Sequence, residues 1–335
     1  MGCTNDPAVG VYGKLLLEPG NSPYTFDASS ERLEILPEGG PAENFQKHGR
    51  HIGGQGIWGG LYPLSTRVRE GAAFYEGSFA INPSPGYMEI LLPYLVGDLD
   101  TGVYYPNNCP AWFGLLIYRD DHWEAGAIGW EFLNCRVAWW ELRSRAPNFR
   151  EDGTPDLFTL RVHVIGKSES RGTTWPSPEP ALPEGESYAP YIFSDADDAG
   201  DGTVTINGAA RDPYTMVLRY DNGLRVRYAA SASPSIFSTG RKITWALQFP
   251  WDSAHENLYN MAYAGAAASL KLAYSVGLND YSTLFSFANF KAPPESPFIK
   301  DENEVFFTVE GQAYGLASAE ATTKEFSVTN VSVAP

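Results

Sequence analysis

A mainly β chain in two tandem halves, each carrying one short helix, is the fold class that the sequence predicts. Three observations carry it. Thirty-three glycines and 25 prolines are spread through 335 residues, the density expected where many short strands are joined by turns. Apolar and polar residues alternate in one segment after another. A strand–turn–helix unit also occurs twice, as GSFAINPSPGYMEILLPYLVG at 77–97 and KITWALQFPWDSAHENLYNMAYAG at 242–265.

In the first unit, the strand GSFAIN leads into a helix. Ser84 stands where an N-cap belongs, and Pro85 takes the first helical position, where a missing N–H costs nothing. Pro93 removes a hydrogen bond farther along, so a short or kinked helix is expected, ending at Gly97. FGLLIYRD, GWEFLNCRVAWWELRS and LFTLRVHVIGKSES follow as strands. In the last, Phe158, Leu160, Val162 and Val164 fall on one face, with Thr159, Arg161 and His163 on the other. That is the period of a half-buried strand.

The second half opens with MVLRYDNGLRVRY, which predicts a hairpin turning at Asn222-Gly223. Ile243, Trp245, Leu247 and Phe249 then alternate with Lys242, Thr244, Ala246 and Gln248. Ser253 and Glu256 form a capping-box pattern for a helix running to about Ala264, with Gly265 at its C-cap. SLKLAYS, STLFSFANFKAP and EVFFTVEGQAYG repeat the strand order of the first half. Self-similarity on this scale predicts two like domains, 1–167 and 191–335. The Pro-, Ser- and Glu-rich stretch 168–190 between them is expected to be an extended linker. The first half carries an extra loop at 98–112, whose role is open between surface decoration and an insertion that displaces one of the two domains.

Composition narrows the function classes. Hydrophobic residues make up 43% and aromatics 14%, enough for a sizeable core and against wholesale disorder. A formal charge of −16 argues against gripping nucleic acid by a basic patch. Cys3, Cys109 and Cys135 form an odd set without metal-ligand spacing, which suits reduced cytosolic synthesis. No 18-residue apolar run is present, so no membrane insertion is expected. The start MGCTND lacks the apolar stretch of a cleaved export signal.

Motifs for chemistry are sparse. No phosphate-binding GxxxxGK loop, G-x-S-x-G elbow or HExxH occurs. His48 and His51 lie three apart beside glycines, in what reads as a loop without a companion ligand cluster. In DADDAGDG, Asp195, Asp197, Asp198 and Asp201 invite a calcium reading. However, Ala199 and Ile206 occupy ligand positions of the EF-hand pattern, so an Asp/Gly-rich turn is the better account. Trp123-Glu124, Trp130-Glu131 and Trp140-Glu141 supply the aromatic platforms and carboxylates that a sugar-binding module or a glycosidase needs. The same residues also serve as strand and interface filler. No catalytic residue, metal or cofactor is assigned.

Two segments read as arms. In HIGGQGIWGGLYP, glycines surround Ile57 and Trp58, with Gly54 and Leu61 in the same stretch. In AASASPSIFSTGR, small and polar residues surround Ile236 and Phe237. Large apolar groups on such loops are costly to leave in water unless something covers them. The six residues Gly54, Ile57, Trp58, Leu61, Ile236 and Phe237 are therefore candidate contacts to neighbouring subunits or rings.

With these pieces in place, the chain resembles the major tail tube proteins of long-tailed, non-contractile bacteriophages. FDASSERLEILPE, the stretch from GGQGIWGG to LLPYLVG, and LRVHVIGKSES carry the likeness in the first half. YIFSDADD, MVLRYDNGLRVRY, KITWALQFPWDSAHENLYNMAYAG, VEGQAYG and KEFSVTN carry it in the second. The resemblance implies two tail-tube-type β-sandwich domains, each with a flanking helix, whose inner sheets join across subunits into a β-barrel ring. It further implies stacked rings that conduct phage DNA without binding it specifically, assembled in the host cytoplasm and incorporated in the virion tail. Partners would be other copies of this chain, as three two-domain chains per ring or alternatively six, with a tail terminator and a tail tip at the two ends. GSFAIN, TLRVHV, KITWAL and FFTVEG would line the channel through Ser78, Asn82, Arg161, Lys242 and Glu310. A carbohydrate-binding β-sandwich module is the competing expectation.

Overall fold

The computed structural model describes residues 13–20, 23–35, 46–53, 68–107, 110–119, 129–145, 158–183, 203–211, 213–227, 234–253, 255–264, 268–276, 281–291, 298–301, 304–313 and 325–331. The first half forms β1 (Gly13–Pro19), β2 (Glu31–Ile35), β3 (Gln46–Gly53), β4 (Val68–Ile81), α1 (Pro85–Leu95), β5 (Gly97–Asp100), β6 (Val103–Pro106), β7 (Phe113–Arg119), β8 (Gly129–Arg145), β9 (Thr159–Gly166) and β10 (Ser168–Thr173). The second half forms β11 (Thr203–Ile206), β12 (Ala209–Arg211), β13 (Thr215–Asp221), β14 (Leu224–Arg227), β15 (Ser235–Ser238), β16 (Lys242–Pro250), α2 (Glu256–Tyr263), β17 (Ala268–Val276), β18 (Tyr281–Lys291), β19 (Phe298–Asp301), β20 (Glu304–Ala313) and β21 (Phe326–Val331). The chain is mainly β, as predicted, and its sheets are antiparallel.

Among the described residues the ladders form three connected sheet layers and a separate two-stranded β14–β15 ladder. One runs β2–β1–β7–β8–β10 and uses the first part of β8. A central sheet runs β3–β4–β9–β8–β13–β16–β20–β19 and uses the rest of β8. The third runs β12–β11–β17–β18–β21–β6–β5. At its end β18 also pairs with β20, so β18 turns from one sheet into another as β8 does. Among the described residues these sheets do not close into a barrel.

Pairings in the two halves correspond. β1–β2, β1–β7, β3–β4, β4–β9, β7–β8, β8–β9 and β8–β10 recur in chain order. Their counterparts are β11–β12, β11–β17, β13–β16, β16–β20, β17–β18, β18–β20 and β18–β21. Registers correspond as well. Phe79 faces Val162 where Leu247 faces Val309, and Arg136 faces Ile165 where Lys291 faces Gln312. Even the ladder breaks match, between Phe113 and Leu115 and between Ala268 and Leu270.

The helices follow their caps. The Ser84 hydroxyl accepts from the Tyr87 N–H, Pro85 sits in the first turn, and α1 continues two residues past Pro93 before Gly97 at φ 132°. In the second unit the cap lies one residue earlier than the S-x-x-E pattern predicts. The Asp252 carboxylate accepts from the His255 N–H at 2.9 Å, which places Asp252 at the position equivalent to Ser84.

A large apolar core joins the halves. Trp140 is fully buried, stacks on Tyr220 at 5.6 Å and lies near Phe285 and Phe326. Its indole N–H donates to the Leu95 carbonyl at 3.0 Å, which ties β8 to α1.

Three sequence expectations change here. The 98–112 loop is not free decoration, because β5 and β6 form a hairpin whose β6 adds to β21 of the other half. The stretch expected as a linker begins as strand β10, paired to β8. The arms around Asn222-Gly223 do not pair with each other. Gly223 takes φ 60° as a tight turn requires, but both edges of β13 are already occupied by β8 and β16. β14 is therefore redirected to pair with β15.

Candidate functional site

The central sheet has one face in the core and one turned outward, and alternation assigns each residue. Leu160, Val162, Leu142, Leu218, Tyr220, Leu247 and Val309 point inward and are buried. On the opposite face the cross-strand rows are Ala80–Arg161–Glu141–Arg219–Thr244–Gln312 and Ser78–His163–Trp139–Asp221–Lys242. Thr159–Arg143–Val217–Ala246–Glu310 forms a third row. Ser78, Arg161, Lys242 and Glu310, singled out from sequence, thus share one face of one sheet. Asn82 lies just past the end of β4, in the link to α1.

Electrostatics on this face are nearly balanced. Arg161, Arg143, Arg219, Lys242 and Arg136 stand against Glu76, Glu141, Asp221 and Glu310 among the described residues. Glu141, only 6% exposed, pairs with Arg143 and with Arg219 at 3.7 Å. Such a desolvated acid is tolerable because two guanidiniums satisfy it. Arg161 donates to the Ser78 hydroxyl at 3.2 Å, which leaves Ser78 nearly buried. The acidic excess of the whole chain is therefore not concentrated on this face.

Trp139 organises the centre of the face. His163 stacks on it at 5.1 Å and 9°, while the guanidiniums of Arg219 and Arg161 lie 4.4 and 5.8 Å from its ring. Burial, with the neighbouring arginines, holds the His163 imidazole below its ordinary pKa, while Glu76 pulls it upward. Sequence reasoning missed Trp139. A register break in β8 between Val137 and Trp139 places Trp139 outside and Trp140 inside, where adjacent tryptophans give no hint of a bulge.

The β14–β15 hairpin folds over one end of the same face. Ile236 is 5% exposed and packs with Ala138 and Ile165, and its carbonyl accepts from Arg136 at 3.1 Å. The expectation that Ile236 projects towards a neighbour is corrected, because its own chain covers it. Phe237, the next residue, points the other way and is 41% exposed. A cavity of about 250 Å³ remains beneath the hairpin, lined in part by Trp139, His163, Asp221 and Arg225.

Gly54, Ile57, Trp58 and Leu61, the Asp-rich stretch 195–202, and Trp123-Glu124 lie outside the described residues. His48 and His51 belong to strand β3, not to a loop. Trp140 is core, so it offers no platform to a sugar. Trp130 packs against the core, and Glu131 accepts from the Thr173 hydroxyl at 3.1 Å. No group of three or more His, Cys, Asp or Glu side chains gathers among the described residues, and no described helix is long and apolar enough to cross a membrane.

With the geometry in place, comparison with known families finds one match. A family model described as "Phage tail tube protein" matches residues 67–313. That span runs from β4 to the end of β20. No match to a curated protein was found.

Proposed function

Because the chain belongs to the phage tail tube protein family, a family of structural virion tail components, we propose that it is a two-domain tube subunit whose copies close into rings. These rings stack into the conduit for phage DNA. The observation that carries this reading is the central sheet, which already joins the two halves through the β8–β13 ladder. Each half supplies one wedge of sheet. β3 has no partner on its outer edge among the described residues, and exposed edges of that kind invite pairing. In the ring, β3 of one copy lies beside β19 of the next, because β19 pairs with β20 as the end of β8 pairs with β9, and that end of β8 is what β13 joins within one chain.

Three chains then complete a ring with pseudo-sixfold symmetry. The β6–β21 pairing and the shared core favour this over six chains that each hold one domain in the ring and one outside. Trp139's face of the central sheet lines the channel. Glu141 pairs with Arg143 and Arg219, which leaves fewer cations on this face to bind phosphate by counterion release, and DNA slides past. The terminator and tip proteins close the two ends, and assembly takes place in the host cytoplasm.

Electron microscopy of purified protein at rising concentration tests the reading. Hollow rings and short tubes are expected; dispersed particles at every concentration, even with virion extract added, would overturn it. Trp58→Ala is expected to weaken ring stacking by about 1–4 kcal/mol, the usual range for an interface aromatic. Unchanged tube length distributions would remove Trp58 from the stacking interface.

A further inference from the structure

At α2 the described residues leave an aromatic patch exposed. Tyr263 is 75% exposed, Trp251 39% and Val305 37%. The patch is continuous: Trp251 meets Tyr259 edge-on at 5.1 Å, Tyr259 stacks on Tyr263 at 6.3 Å, and the Trp251 N–H donates to the Val305 carbonyl at 2.7 Å. Contiguous exposed aromatics of this kind mark an interaction surface.

The equivalent helix shows what covers it. α1 and α2 follow equivalent strands, begin at equivalent caps, and lead to Gly97 and Gly265. Counting back from those glycines aligns Leu95 with Tyr263 and Leu91 with Tyr259. In α1 both positions are at most 1% exposed. Besides its own half, α1 packs against β18 and β21 of the other half, and the Asn330 amide donates to the Pro85 carbonyl at 3.0 Å. The counterparts of β18 and β21 are β8 and β10.

We propose that the α2 patch of Trp251, Tyr259 and Tyr263 docks on a second copy of this chain, against the first part of its β8 and against its β10. The contact repeats between chains what α1 makes with β18 and β21 within one. It rests on the ring reading and adds a lateral interface to it, separate from the sheet-edge joint and from ring stacking. The composition of α2 suits a joint formed by chains that have already folded. Glu256, Asn257 and Asn260 stay exposed beside the aromatics, as in interfaces that must also meet water, whereas two of the three matching positions in α1, Met88 and Leu92, are apolar and buried and only Glu89 is exposed. Ser170 and Gly172 on β10 are exposed and leave room for a ring to approach.

Two measurements test the proposal. Tyr263→Ala removes a side chain that contributes little to its own fold, so the melting temperature of the unassembled chain stays at the wild-type value. The concentration for half-assembly is expected to rise about tenfold or more, read by sedimentation. p-Benzoylphenylalanine introduced at Tyr263 is expected to cross-link, on irradiation of assembled rings, to residues 129–135 or 168–173 of another copy. Wild-type rings with unchanged assembly of Tyr263→Ala, or cross-links to other segments, would overturn the lateral docking and leave the ring reading intact. No rings from wild-type chain would overturn both.

Discussion

Asn222→Leu probes the joint between the halves. Asn222 is 1% exposed at the corner where β13 ends. Its side-chain amide donates to the Val137 carbonyl at 3.0 Å, and its backbone N–H donates to the Ala138 carbonyl at 2.8 Å. Those carbonyls sit at the register break of β8, where the ladder to β9 skips a residue. Leucine has nearly the same shape but cannot donate, so the buried Val137 carbonyl loses its amide partner. An orphaned buried acceptor costs about 1–3 kcal/mol. The backbone bond from residue 222 survives, which places the expected loss near 2 kcal/mol. Urea unfolding followed by circular dichroism measures it as a lower midpoint at unchanged slope. Thr239→Ala is the control, because its hydroxyl donates to the Gly223 carbonyl at the exposed side of the same corner; it should stay within about 0.5 kcal/mol of wild type. A loss below about 0.5 kcal/mol for Asn222→Leu would refute the view that this amide holds the β8 bulge against β13.

Further outcomes follow from the same geometry. Gly311→Ala would drive a Cβ into the Trp245 indole across the β16–β20 ladder; such overpacking costs about 1–3 kcal/mol, and wild-type stability in the same urea assay would contradict the close packing. His163, held neutral by burial, resists a proton that the unfolded chain accepts near pH 6.5. Stability from this site is therefore fully present above pH 6.5 and is lost as pH falls from there towards the depressed folded value. His163→Gln should flatten that limb of a melting-temperature curve recorded between pH 5 and 8, and an unaltered limb would assign it elsewhere. Cys135 is fully buried, and burial pushes its thiol upward. A thiol-specific chromogenic reagent should label it only on unfolding, and rapid labelling of native protein would contradict its place in the core.

Elements whose signal is local were legible in the sequence. Alternation found β9 and β16 with the correct faces, because one side of each strand meets the core whatever its neighbours are. Ser84 and Pro85 marked the start of α1 through side-chain and backbone chemistry confined to one turn. Ser78, Arg161, Lys242 and Glu310 fell on a common face for the same reason. What escaped depends on distant partners. Asn222-Gly223 reads as a hairpin turn, yet β8 and β16 claim both edges of β13. The β5–β6 hairpin gains its role from β21, more than 200 residues later. Trp139 faces outward and Trp140 inward because of a bulge in β8 that the ladder to β9 reveals. Ile236 reads as an exposed anchor, but Ala138 and Ile165 of the other half receive it.

The most direct test of the tube account is an end-on cryo-electron microscopy reconstruction of assembled rings that resolves strand order across the boundary between chains. The account predicts three chains per ring, with β3 of one copy paired beside β19 of its neighbour and a repeated sheet geometry at all six joints. Six chains per ring, or a boundary at which the central sheet is interrupted, would contradict it.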